Sequence, residues 1–120
     1  MRLIFCSDPM NPRLPDVAYA SEVAAADRLG VECSLISFEA LVDERDADRA
    51  VRRVTPAPEE AEVGVYRGWM MTPEVYAELY DALADRRVRL VNTPAQYEHC
   101  HYLPRWYGAL EGHTPRSVWT

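Results

Sequence analysis

The stretch GVYRGWMMTPEVYAELYDAL, Gly64 to Leu83, decides the fold. Its first half is an apolar strand, expected over residues 63–69, and its second half is a capped helix. Thr72 is the N-cap and Pro73 takes the first helical position, where no amide partner is needed. Glu74 then puts a negative charge where the helix dipole favours it. Val75, Leu79 and Ala82 or Leu83 recur at helical spacing and form one apolar stripe. A strand that runs through a short turn into an amphipathic helix is the repeating unit of parallel α/β folds.

The same unit appears on both sides. Arg2 to Ser7, RLIFCS, is a short apolar strand, followed by a loop to Pro15 that holds three prolines. A helix is expected over residues 16–29, with Val17, Ala20, Ala24 and Leu29 toward the core and Gly30 as its C-cap. VECSLISF, residues 31–38, is the second strand. One helical turn is expected over 39–43, charged surface over 43–49, a short extra strand over 50–54 and a Pro- and Glu-rich loop over 55–62. Beyond the opening stretch, residues 89–91 form the fourth strand, and Thr93-Pro94 starts a helix that runs to about Cys100. A further helix is expected over 102–110, and TPRSVWT, residues 114–120, reads as the beginning of a strand. Residues 1–113 thus form one domain, and 114–120 a tail or the start of a following domain.

Strands alternating with helices imply a mainly parallel sheet of about four strands covered on both faces, a Rossmann-like three-layer α/β fold. Right-handed crossovers leave 2-1-3-4 as the simplest strand order. Open sheets of this kind bind ligands beyond the carboxyl ends of their strands, where the order reverses. The residues expected there are Ser7 and Asp8 after the first strand, Arg67 and Gly68 after the third, and Asn92 after the fourth. Arg67 has two readings: an anion clamp with Gly68 letting a ligand approach the backbone, or a structural charge that pairs with Asp8 or caps the sheet as an ordinary strand end.

Composition narrows the chemistry. The 120 residues are 48% hydrophobic and 27% charged, a globular balance. A net charge of −6 argues against nucleic acid as the main partner. No apolar run approaches the length of a membrane span, and the N-terminus MRLIFCSDP turns polar too soon for a signal peptide, so a cytoplasmic protein is expected. All 13 basic residues are arginine. Lysine chemistry, whether Schiff base or P-loop, is therefore outside the reach of these residues. Neither GxGxxG nor GxxxxGK[ST] occurs. Cys6, Cys33 and Cys100 are odd in number and form no CxxC, so free thiols are expected, buried or half-buried.

His99-Cys100-His101 invites a metal reading, but three consecutive residues cannot converge on one ion from a helix or a strand. A helix C-terminus, which favours imidazolium, is the simpler reading. Cys100 beside a histidine also makes a poor nucleophile–base pair, because adjacent side chains diverge. Asp43, Glu44, Asp46 and Asp48 alternate with Arg45 and Arg49 as a solvated face with local ion pairs. Tyr97, Tyr102, Trp106 and Tyr107 form an aromatic group near the end of the chain, either a second core or a docking face.

YRGWMMTPEVYAELYDAL, RLVNTPAQYEHCHYLPRWY and TPRSVWT together resemble the N-terminal part of bacterial and phage ATP-grasp proteins of the R2K clade. YRGWM and NTPAQY are the more specific parts. The resemblance covers most of the chain and implies a pre-ATP-grasp domain, the substrate side of the cleft in an enzyme that joins a carboxylate to an amine through an acyl phosphate. In that reading Arg67 holds a substrate carboxylate, and a following ATP-grasp domain packs on Tyr97, Tyr102, Trp106 and Tyr107. ATP and magnesium are then bound outside this chain, since the expected phosphate- and metal-binding residues come later than Thr120. No catalysis is expected from residues 1–120 alone. The alternative is a non-catalytic α/β module that binds a small ligand or a partner.

Overall fold

A computed structural model describes residues 1–119. The chain folds as β1 (Arg2–Cys6), α1 (Ala20–Arg28), β2 (Glu32–Ile36), α2 (Phe38–Val42), α3 (Ala47–Val51), β3 (Glu62–Tyr66), α4 (Pro73–Ala84), β4 (Val88–Leu90), α5 (Pro94–His101) and α6 (Leu103–Leu110). A 3-10 turn, Glu111–His113, follows α6. The four strands form one all-parallel sheet in the order β2-β1-β3-β4, the Rossmann-like arrangement expected from the alternating pattern. No helix among the described residues is long and apolar enough to cross a membrane.

Strand alternation divides the core in two. Ile4, Ile36, Val88 and Leu90 face α2, α3 and α4, where they meet Leu41, Val51, Val75, Leu79 and Leu83. Leu3, Phe5, Cys33 and Leu35 face the other way, toward Tyr19 and Val23. Gly64 sits in β3 because a Cβ there would come within 2.8 Å of a Val88 methyl. At the amino end of the sheet Arg2 is buried, with ion pairs to Glu32 of β2 at 2.7 Å and Glu62 of β3 at 2.9 Å. It also donates to the Thr55 carbonyl, so one side chain ties three strands together.

Several local expectations are corrected. α1 begins at Ala20, not Asp16, because residues 16–19 form turns in which the Asp16 carboxylate accepts from the Ala18 amide at 2.8 Å. The turns aim Tyr19 at Phe5, and the buried phase of the helix becomes Tyr19, Val23 and Ala26. Val17 and Leu29 are consequently exposed, as are Ala20 and Ala24. Residues 50–54 are not a strand. Asp46 caps α3 by accepting from the Arg49 amide, and Ala50, Val51 and Val54 are buried at helical spacing. Residues 114–119 form no strand either: the segment folds back so that Trp119 meets the Tyr107 ring edge-on at 5.2 Å. Thr120 lies outside the described residues.

α6 packs on α5 and the tail and away from the sheet. The radius of gyration, 15.8 Å, exceeds the about 14 Å expected for a compact chain of this length.

Candidate functional site

The carboxyl ends of β3 and β4 open into a cleft of about 220 Å³. One wall is the segment from Tyr66 to Met70 and the other is Tyr76, Asn92, Tyr97 and His101. Each wall is fixed by bonds that follow from the sequence. The Arg67 amide extends the sheet ladder by donating to the Ile4 carbonyl at 2.8 Å. The Tyr66 hydroxyl donates to the Trp69 carbonyl at 2.7 Å, closing a tight loop. The Trp69 indole N–H donates to Asp16 at 3.0 Å, and its ring meets Tyr19 edge-on. On the far wall Tyr97 stacks on Tyr76 with centroids 3.9 Å apart and planes 7° from parallel.

Tyr97 also joins the two walls. Its hydroxyl donates to the Met71 carbonyl at 3.0 Å and accepts from the Met71 amide at 3.1 Å. Tyr76 donates to the Asn92 carbonyl at 2.9 Å. Thr93 and Gln96 form a reciprocal capping box at the start of α5, which orients Asn92 just before it. The His101 ring lies 4.2 Å from that of Tyr97 at the mouth.

Burial pushes the Tyr66, Tyr76 and Tyr97 phenols up, so each stays neutral, with its proton committed to the Trp69, Asn92 or Met71 carbonyl. Burial likewise raises the Cys6 thiol beneath the loop. The cleft thus presents aromatic faces, one exposed amide and an arginine at the rim.

Arg67, Gly68 and Asn92 line this cleft, as expected of the sheet's carboxyl edge. Their surroundings differ from expectation in two ways. Arg67 pairs with Glu22 of α1 and not with Asp8, through two contacts of 2.9 Å, and its guanidinium lies 5.5 Å from the centre of the Tyr19 ring. Gly68 is required by the loop itself, since a Cβ there would fall within 2.5 Å of the Tyr66 hydroxyl and 2.6 Å of the Cys6 sulfur. Ser7 and Asp8 line a separate, smaller cleft on the α2–α3 side of β1.

The four terminal aromatics also divide. Tyr97 and Tyr107 are buried within the chain, Trp106 is half-buried, and Tyr102 is exposed. Cys100 is exposed, not half-buried, because it lies on the outer side of α5. His99 and Cys100 border a groove with Trp106, Ala109 and Leu110, whereas His101 turns to the main cleft. The aromatic stack of Tyr76 and Tyr97 was not anticipated as a site. The signal was present as a tyrosine on each of two helices that follow adjacent strands.

A scan against protein-family models finds no match to the chain, and comparisons with curated proteins and with solved structures find none either.

Proposed function

We propose that this chain is the substrate-side unit of an ATP-dependent carboxylate–amine ligase of the ATP-grasp kind, with its aromatic cleft holding part of the substrate. One observation carries the reading. The two most specific stretches of the resemblance, YRGWM and NTPAQY, are far apart in sequence, yet Tyr66, Arg67, Trp69, Met70, Asn92 and Tyr97 from them line one cleft. That cleft lies at the carboxyl edge of a parallel sheet, where such folds place ligands. ATP and magnesium belong to a following domain in this reading. Its docking face is the groove of α5 and α6 around Trp106 and Leu110, since Tyr97 and Tyr107 are already covered.

The test is turnover of ATP to ADP by the protein at its native length, assayed against a panel of small carboxylates with an amine. The expected result is turnover that depends on one carboxylate, with its KM raised about tenfold by Arg67→Ala and the KM for ATP unchanged. Absence of carboxylate-dependent turnover would overturn the proposal. The pairing of Arg67 with Glu22 favours the second reading, a non-catalytic module, and in that case the cleft binds a ligand with no ATP dependence at all.

A further inference from the structure

The second cleft, beyond the carboxyl ends of β1 and β2, has a different character. It encloses about 100 Å³ and is bordered by Ser7, Ser37, Arg49, Arg52 and Arg53. Three arginines within five residues converge there in a chain whose net charge is −6. Helix α3 and the turn after it present them: Asp46 caps the helix start, Arg49 lies in its last turn, Arg52 is its C-cap residue and Arg53 follows in the turn. Arg49 is paired with Glu44. Arg52 and Arg53 have no carboxylate within salt-bridge distance among the described residues.

Ser7 supplies an independent indication. It is only 3% exposed, and its amide is taken up by the Ile36 carbonyl at 2.8 Å. Its hydroxyl has no hydrogen-bond partner among the described residues, although it borders the cleft. The hydroxyl keeps access to the cleft and is free to donate to a ligand there. Asp8 is the one acid at the rim, and one of its carboxylate oxygens is engaged by the amides of Met10 and Asn11 at 2.8 and 2.9 Å.

The geometry points to a phosphate-binding site, taking either free phosphate or the phosphoryl group of a monoester. Arg52 and Arg53 provide the planar forks that match its oxygens, and the Ser7 hydroxyl donates a further hydrogen bond. The volume suits one tetrahedral oxyanion and little more. This site is separate from the aromatic cleft and does not rest on the ligase reading.

The test is an NMR titration of the isotopically labelled chain with inorganic phosphate, with methyl phosphate and, at matched ionic strength, with acetate and chloride. Saturable shifts at the Ser7 and Ser37 amides and at the Arg52 and Arg53 Nε–H groups are expected with the first two and not with the others. Tighter binding of methyl phosphate assigns the site to a monoester, and equal or weaker binding assigns it to free phosphate. The double variant Arg52→Ala/Arg53→Ala changes exposed residues only and should weaken binding by at least about tenfold. Ser7→Ala removes one hydroxyl and should weaken it by about threefold or more. Shifts that fail to saturate, that acetate reproduces, or that survive in both variants would overturn the assignment.

Discussion

Arg67 and Glu22 form a two-point ion pair across the rim of the aromatic cleft, with both N–O distances 2.9 Å. The pair fastens the loop after β3 to α1, and it occupies the guanidinium that a substrate carboxylate would need. Both partners are substantially exposed, so the pair contributes only about 0.5 kcal/mol to stability. Glu22→Gln should leave the urea midpoint almost unchanged and make the cleft bind small carboxylates several-fold more tightly. Arg67→Ala should also fold normally and abolish that gain. Equal carboxylate binding in wild type, Glu22→Gln and Arg67→Ala would remove Arg67 from the site.

The Tyr97 hydroxyl meets both the amide and the carbonyl of Met71 in a buried setting. Tyr97→Phe keeps the stack on Tyr76 but leaves two buried backbone groups without partners, at a cost of about 2 kcal/mol. Tyr76→Phe loses a single bond to the Asn92 carbonyl, for about 1 kcal/mol. Urea denaturation of the two variants should give that ranking, and the reverse order would mean that water satisfies Met71 in place of the phenol.

The sheet order was legible because Thr72-Pro73 and Thr93-Pro94 mark helix starts directly after apolar strands. Tertiary packing overrode the local reading elsewhere. Tyr19 set the phase of α1, since burying one aromatic ring outweighs any preference among Val17, Ala20 and Ala24. Arg2 is a charge at a strand start, and it is buried because Glu32 and Glu62 arrive from strands on either side. The carboxyl edge of the sheet was readable as the place for a site. The split of Ser7 and Asp8 from Arg67 and Asn92 was not, because it depends on which sheet face each loop turns toward.

Alkaline pH should destabilise the fold. Burial raises the Cys6 thiol above its ordinary 9.0 and the Tyr66, Tyr76 and Tyr97 phenols above their ordinary 10.0. Below the unfolded values both states hold these protons and stability is intact. As pH rises past about 9 the unfolded chain releases protons that the folded chain keeps, so stability falls. The urea midpoint should decline from pH 9 to 11, less steeply in Cys6→Ala and Tyr66→Phe. In the native state Cys100 should react rapidly with a thiol reagent and Cys6 only on unfolding. A flat profile over this range would mean that the buried groups titrate with the same affinity in both states.

α6 should open independently of the sheet. From Leu103 to Trp119 only Tyr107 is buried, and the helix touches α5, the 3-10 turn and the tail rather than the core. What holds it is local: the Tyr107–Trp119 contact and the bond from the Ser117 amide to the Tyr107 hydroxyl at 3.2 Å. Few buried contacts mean a low local opening free energy. Amides of α6 should therefore exchange with solvent at least about 100-fold faster than those of β1, which is central in the sheet and buried on both faces. Trp119→Ala should speed exchange in α6 further and leave α4 untouched. If a following domain docks on Trp106 and Leu110, the native-length protein should show α6 protected to the level of the sheet. Equal protection of α6 and β1 in the 120-residue chain would instead make the arm part of the same cooperative unit, and the docking face would lose its physical basis.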